Sequence, residues 1–314
     1  MAAVAVLGVA VVTAGCPSSP APCTTPGEEG ALLIADRDPV FVGLRTGCRE
    51  SYAQDLAALA AVAGLDPVAR YGPWLSRDGT AAILQGWKGG VEVLWYGRRA
   101  GDTWTTAAVL PYGACDTAFV SFSADGRFAA ATTEVAGGAI RAVRVDLATG
   151  RTHVFDDDMY PERSQVCLSS DGARVAYADK AIVLVVWDCA QEEDFRRTLK
   201  RALTFNDKLV GFLDDGRLAV QYGWDYKMPS VVRFLSPDGV EETAFSLPFG
   251  RAPLLLSPDG SMLVFRDGSL WAGAWSYGVI DRAGREREFD LPSEFREAGC
   301  WTKGLPRAQA PSVK

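Results

Sequence analysis

Ser123-Ala-Asp-Gly126, entered by Phe119-Val-Ser-Phe122 and left by Phe128-Ala-Ala-Ala131, is one of five copies of a single turn in this 314-residue chain. The others are Ser76-Arg-Asp-Gly79, Ser169-Ser-Asp-Gly172, Leu213-Asp-Asp-Gly216 and Ser257-Pro-Asp-Gly260. Successive glycines lie 47, 46, 44 and 44 residues apart, a period that fits one four-stranded propeller blade per copy. The Asp side chain can accept hydrogen bonds from the turn backbone, and Gly supplies the positive φ that a tight hairpin needs. Short apolar runs flank every copy, as inner strands packed between neighbouring blades require.

A second glycine turn follows in phase. Gly150 in Asp146-Leu-Ala-Thr-Gly150, Gly239 in Ser236-Pro-Asp-Gly239 and Gly284 in Asp281-Arg-Ala-Gly284 come 24, 23 and 24 residues after the first glycine of their copies, and Gly101 comes 22 after Gly79. In the third copy Asp188-Cys-Ala-Gln-Glu-Glu-Asp194 takes this position, as a longer hairpin. Each unit therefore reads as an up-and-down sheet of four, and the chain as an all-β protein with a single β-propeller of four-stranded antiparallel blades.

The Ser-Pro-Asp-Gly turn phased with an Asp-Leu-Ala-Thr-Gly outer hairpin resembles the TolB-like, WD-repeat-like propellers of bacterial envelopes, over residues 72–291. Arg77, Ala124 and Ser170 stand where that pattern favours Pro, and the fourth copy lacks the leading Ser. The resemblance is specific for the fold. Related blades serve in assembly proteins, in the non-catalytic halves of prolyl peptidases and in lipoproteins.

An open ring would expose the edges of its first and last blades. Ala31-Leu-Leu-Ile34, Pro39-Val-Phe-Val-Gly-Leu44 and Pro67-Val-Ala-Arg70 have strand character, and Ala298-Gly-Cys-Trp-Thr302 can supply an inner strand from the C-terminus. Six blades are expected, five full repeats plus one closed by both termini; five blades with decorations is the alternative. Tyr52 to Ala63, rich in Ala and Leu and ended by Gly64, reads as a short helical insertion within residues 51–64.

Residues 2–14 are uncharged and apolar, too short to span a bilayer but of signal-core length, and end in Val12-Thr-Ala-Gly-Cys16. Small residues before Cys16 resemble the bacterial lipoprotein signal, which implies lipidation of Cys16. The expected organisation is a signal peptide over 1–15, a lipidated Cys and flexible tether over 16–30, the propeller over 31–305 and a disordered tail over 306–314, giving an exported, membrane-anchored monomer. Cys23, Cys48, Cys115, Cys167, Cys189 and Cys300 form an even set compatible with disulfides in an oxidising compartment, with pairing open. Cys300 is expected near Cys48 or Cys23 if the ends meet; Cys167 can equally be a buried small hydrophobe.

A net charge of −7 argues against nucleic acid. The single histidine, His153, reads as an outer-strand residue, no Gly-x-Ser-x-Gly elbow occurs, and Asp156-Asp-Asp158 reads as a solvated turn. No cofactor, metal site or catalytic residue is assigned, and no enzymatic activity is expected.

In a four-stranded meander the two glycine turns share one rim, here the turn rim. The loops between second and third strands share the opposite, loop rim with the blade-to-blade connections. That loop rim gathers Trp87, Lys88, Tyr112, Arg163, Trp224, Tyr226, Lys227, Arg251 and Arg266. Exposed Trp, Tyr and Arg anchor protein interfaces. The expectation is a scaffold binding an envelope protein or peptide, with Trp87, Trp224 and Tyr226 as anchors. The alternatives are packing of these aromatics between loops, and binding or hydrolysis of a small sugar, lactone or peptidoglycan fragment in the central funnel.

Overall fold

The computed structural model describes residues 30–34, 40–43, 49–51, 53–66, 71–101, 103–112, 120–159, 165–190, 195–204, 207–223, 229–268, 276–289 and 297–302. From the N-terminus come β1 (Gly30–Ile34), β2 (Val40–Gly43), β3 (Arg49–Ser51) and α1 (Ala53–Ala63). Five sheets follow, each continuous in sequence. The first holds β4 (Tyr71–Leu75), β5 (Ala81–Lys88), β6 (Val91–Ala100) and β7 (Thr103–Pro111). The second holds β8 (Ser121–Phe122), β9 (Phe128–Val135), β10 (Ala139–Asp146) and β11 (Thr152–Asp158). The third holds β12 (Val166–Leu168), β13 (Arg174–Ala178), β14 (Val183–Asp188) and β15 (Arg196–Ala202). The fourth holds β16 (Lys208–Phe212), β17 (Leu218–Tyr222), β18 (Ser230–Leu235) and β19 (Glu241–Leu247). The fifth holds β20 (Arg251–Leu256), β21 (Met262–Asp267), β22 (Ser276–Asp281) and β23 (Glu286–Phe289).

The last strand, β24 (Glu297–Thr302), joins β1, β2 and β3 in a sixth four-stranded sheet of order β24-β1-β2-β3. It runs antiparallel to β1, with Gly30 opposite Thr302 and Leu32 opposite Cys300. β24 lies against both β20 and β4, so the ring of inner strands is carried from the last continuous sheet back to the first. The fourth strand of this sheet is β3; residues 67–70 lie outside the described residues. Arg49-Glu-Ser51 is polar and three residues long, which leaves it without a strand pattern in sequence.

The repeated turn works by a shared hydroxyl. The Ser76, Ser123 and Ser257 hydroxyls each donate to the turn Asp at 2.6 Å, and Ser169 does so at 2.5 Å. The same oxygens accept from the amides of Ala81, Phe128, Met262 and Arg174, five residues on, at 2.8–2.9 Å. Those serines are buried, so the bonds satisfy polar atoms that would otherwise be costly under the sheet ends. Leu213 has no hydroxyl, and Asp215 there binds the Arg217 side chain at 2.8 Å instead.

Between sheets the buried side chains form several hydrophobic clusters. Ala129, Ala130 and Ala131 on β9 are fully buried, and their small side chains let neighbouring sheets approach closely. Tyr177, buried on β13, reaches across to Asp157 on β11 at 2.8 Å, and Arg197 donates to the same carboxylate at 2.6 and 2.7 Å. Glu241 similarly gathers Tyr222, Arg233 and Arg201 from two sheets. Asp157 and Asp158 are thus engaged strand residues, Asp158 pairing with Arg141 at 3.1 Å.

Cys167 and Cys189 are free, buried thiols, which corrects their place in the expected disulfide set. Cys167 packs in the core on inner strand β12 and Cys189 follows β14, and burial pushes each thiol up to about 12. Cys16, Cys23, Cys48 and Cys115 lie outside the described residues, as do the signal, tether and tail segments.

Burial alone would raise the Asp171 and Asp259 carboxyls, but the serine hydroxyl and backbone donors outweigh it and hold both below the ordinary carboxylate range. A depressed folded-state value contributes stability that is complete above the unfolded value of about 3.9 and lost as pH falls through the folded one. Urea denaturation is therefore expected to show stability falling from about pH 4 downward, with Asp171→Asn less stable than the parent at pH 7 and less sensitive to acid. An unchanged acid limb in the variant would contradict this role.

Candidate functional site

The loop rim is built from the ends of second and third strands. Trp87 and Lys88 close β5, Gly89 and Gly90 make the turn with positive φ, and Val91 opens β6, 55% exposed. Trp87 is half-buried and sits opposite Glu92. Its carbonyl accepts from the Asp66 amide at 2.8 Å, and Lys88 Nζ donates to the Ala63 carbonyl at 3.3 Å. α1 reaches this hairpin because it stops in a Schellman turn. Gly64 takes φ 63°, its amide donates to Ala61 and the Leu65 amide to Ala60. The helix buries Leu56, Leu59, Ala60 and Ala63 and leaves Val62 50% exposed beside the hairpin.

Other expected rim residues are held differently. Tyr112 is 5% exposed, its amide donating to the Glu92 carbonyl. Arg251 binds Asp267 at 2.8 Å and Glu286 at 2.7 Å and lies 4.6 Å from the centre of the Phe265 ring, so its guanidinium braces the last continuous sheet. Burial would lower that guanidinium, yet the two carboxylates raise it. Arg266 is half-buried on β21, opposite Ala252. Arg163, Trp224, Tyr226 and Lys227 lie outside the described residues. The hairpin of Trp87 and Lys88 is thus the most accessible part of the described set, and it is separated from Arg251 and Arg266 by the sheet that closes the ring.

The loop rim also carries the one non-glycine residue with positive φ among those described, Ile182 at 59°. Asp179 enforces it, accepting from the Ala181 and Val183 amides at 2.9 Å while the Ile182 amide donates to the Asp179 carbonyl. A β-branched residue in this region is strained.

The central channel opens at the turn rim. Leu75, Phe122, Leu168, Val210, Phe212 and Leu256 are among its wall residues, around about 770 Å³ of space open to solvent. Arg77 and Asp214 join at 2.9 Å between the first and fourth continuous sheets. Among the described residues no group of His, Cys, Asp and Glu is arranged to hold a metal ion, and no helix is long and apolar enough to cross a membrane. Sequence reasoning missed the cross-sheet networks, because their members lie 20 to 40 residues apart.

TolB from Acinetobacter baumannii shares the fold, with TM-score 0.57 at 15% identity, over 87% of this chain and 65% of that one. The fold is that of a TolB-like β-propeller. A second TolB-like structure, from Agrobacterium tumefaciens and described as a putative TolB, matches with TM-score 0.52 at 15% identity, over 83% of this chain and 88% of that one. This chain spans less than two thirds of the Acinetobacter protein's length. A chain from a nidogen/laminin complex (TM-score 0.54, 12% identity, 87% and 97% covered) and oligogalacturonate lyase from Vibrio parahaemolyticus (0.52, 12%, 87% and 84%) share the architecture too. No family model and no characterised protein matches by sequence.

Glycine removes the Cβ conflict at position 182 at an entropic cost smaller than the strain it relieves. Ile182→Gly is expected to raise unfolding stability by about 1 kcal/mol, read from chemical denaturation. A destabilised variant would mean that the isoleucine side chain contributes more in packing than its backbone costs.

Proposed function

We propose that this chain is a non-enzymatic cell-envelope lipoprotein, anchored through Cys16, whose propeller holds a protein or peptide on the loop rim. The observation that carries the reading is the asymmetry of the two rims. On the turn rim, copies of one hydrogen-bonded turn satisfy their own polar groups; on the loop rim that turn chemistry is not repeated, and Trp87, Lys88 and Val91 stand at the hairpin of the first continuous sheet. Large aromatic and cationic side chains of this kind supply contact area and directional bonds to a partner.

Topology supports a matching orientation. Gly30 and Thr302 are paired at the turn rim, where the first and second strands of the other sheets are joined by the Ser-x-Asp-Gly turn. A tether over residues 16–30 leaves from there, so an anchored ring turns its loop rim away from the membrane. Several polar side chains at the channel mouth are engaged within the protein, Arg77 with Asp214, Ser123 with its own turn and Ser121 with the Leu168 amide, which disfavours the alternative, a sugar or peptidoglycan fragment, which needs convergent polar groups. The solved relatives include both a TolB and a lyase, so the fold carries no decision between them.

The test is cross-linking in the native envelope with Trp87→Ala, Trp224→Ala and Tyr226→Ala combined. Capture of a specific envelope protein by the parent and its loss in the triple variant are expected, while Thr149→Ala on the turn rim retains it. Equal capture by both would sink the loop-rim interface, and membrane retention of a Cys16→Ser form would sink the lipid anchor.

A further inference from the structure

The repeated Ser-x-Asp-Gly turn has one side chain that its shared hydrogen bonds do not use, at the second position. In the five copies this position is held by Arg77, Ala124, Ser170, Asp214 and Pro258, and all five line the turn-rim mouth of the central channel. Two of them are charged, with opposite sign, and they meet. Arg77 Nη1 donates to Asp214 Oδ2 at 2.9 Å although 137 residues separate the two.

The sheet of Arg77 and the sheet of Asp214 face each other across the ring. The β8–β11 and β12–β15 sheets lie between them on one side, and the β20–β23 sheet and the closing sheet on the other. The ion pair therefore crosses the channel mouth instead of joining neighbours. The side chains of Ala124, Ser170 and Pro258 are too short to do so.

The turns do not depend on this pair. Asp78 accepts from the Ser76 hydroxyl at 2.6 Å and from the Thr80 amide at 3.0 Å, and Asp215 accepts from the Arg217 amide at 3.0 Å. Backbone bonds also fix neighbouring turns in twos, the Ala124 amide donating to the Ser170 carbonyl and the Asp214 amide to the Pro258 carbonyl, both at 2.7 Å. Parting of the two charged groups moves side-chain ends and leaves all of these bonds in place. The Arg77 and Asp214 side chains are 29% and 41% exposed, so their attraction is modest and screened by salt. Behind them the wall is apolar, at Phe122, Leu168 and Phe212.

We propose that the Arg77–Asp214 pair is a salt-sensitive strap across the channel, closed at low ionic strength and opened by screening, that governs entry of an uncharged apolar molecule from the turn rim. While the strap is closed, such a molecule meets two charged groups and their hydration before it meets the wall, and it has nothing to offer either of them. Once the strap is open, the same molecule reaches Phe122 and Phe212 directly. The strap belongs to the rim opposite the loop-rim hairpin, and it rests neither on that interface nor on an anchor at Cys16.

Uptake of the neutral dye N-phenylnaphthylamine by the full-length protein, read from the rise of its emission in apolar surroundings, tests the strap. At about 0.01 M ionic strength the screening length is about 30 Å and the pair holds; at about 1 M it is about 3 Å, the length of the contact itself. The parent is expected to bind the dye weakly at low salt and about fivefold more tightly at high salt, the factor that one surface ion pair can supply. Asp214→Asn keeps the size and the backbone amide but removes the charge, and is expected to bind at the tighter level in both salts. Asp214→Glu, which keeps a carboxylate, is expected to behave as the parent does. Leu256→Gln added to Asp214→Asn places a polar group in the wall and is expected to abolish uptake. Equal low-salt uptake by the parent and Asp214→Asn, or the same salt dependence in both, would overturn the strap. Uptake that survives Leu256→Gln would put the dye outside the channel and overturn it as well.

Discussion

Pairing of β24 with β1 is the constraint on which the rest of the structure depends. Without it β1 would be left with an unpaired inner edge, and the sheets that begin with β4 and β20 would lose the strand that lies between them. With it, the strands nearest the N-terminus are locked by the strand nearest the C-terminus, at Gly30 and Thr302. The price is a contact between residues about 270 positions apart in sequence, a separation that slows folding. The same pairing brings both ends of the ring to the turn rim.

The connections between sheets are of two kinds. Close to the channel, small buried residues such as Ala129 and Ala131 let sheets pack directly. Farther out, tyrosine, arginine and carboxylate side chains join neighbouring sheets, as in Tyr177, Asp157 and Arg197 or in Arg217, Glu242 and Arg282. These pairs are partly exposed, so their individual contribution is modest. Their role is geometric, since a sheet twisted against its neighbour has few ways to satisfy all of them together.

Much of the architecture was legible in the sequence. Turns that need Asp and Gly repeat in phase, and the apolar runs beside them became strands such as β4, β9 and β21. The closing strand was legible as well, from the apolar character of Ala298 to Thr302. β3 was not, because Arg49-Glu-Ser51 carries no alternation to read. The site was less legible than the fold. Trp87 and Lys88 sit on the expected hairpin, whereas Arg251 is taken up by Asp267 and Glu286, and Glu286 is 35 residues away in sequence. A residue's type suggests what it could bind, but its partner depends on which strands the ring sets side by side. The pairing of Arg77 with Asp214 was likewise hidden, because 137 residues lie between them.

Hydrogen exchange of the native full-length protein, read on peptides spanning residues 30–34 and 297–302, measures the closure directly. Amides of β1 and β24 are expected to exchange slowly, in step with those of β5, because opening one strand of a closed ring exposes its neighbours as well. Exchange at the rate of an unstructured chain in both peptides, with β5 still protected, would contradict the closed ring.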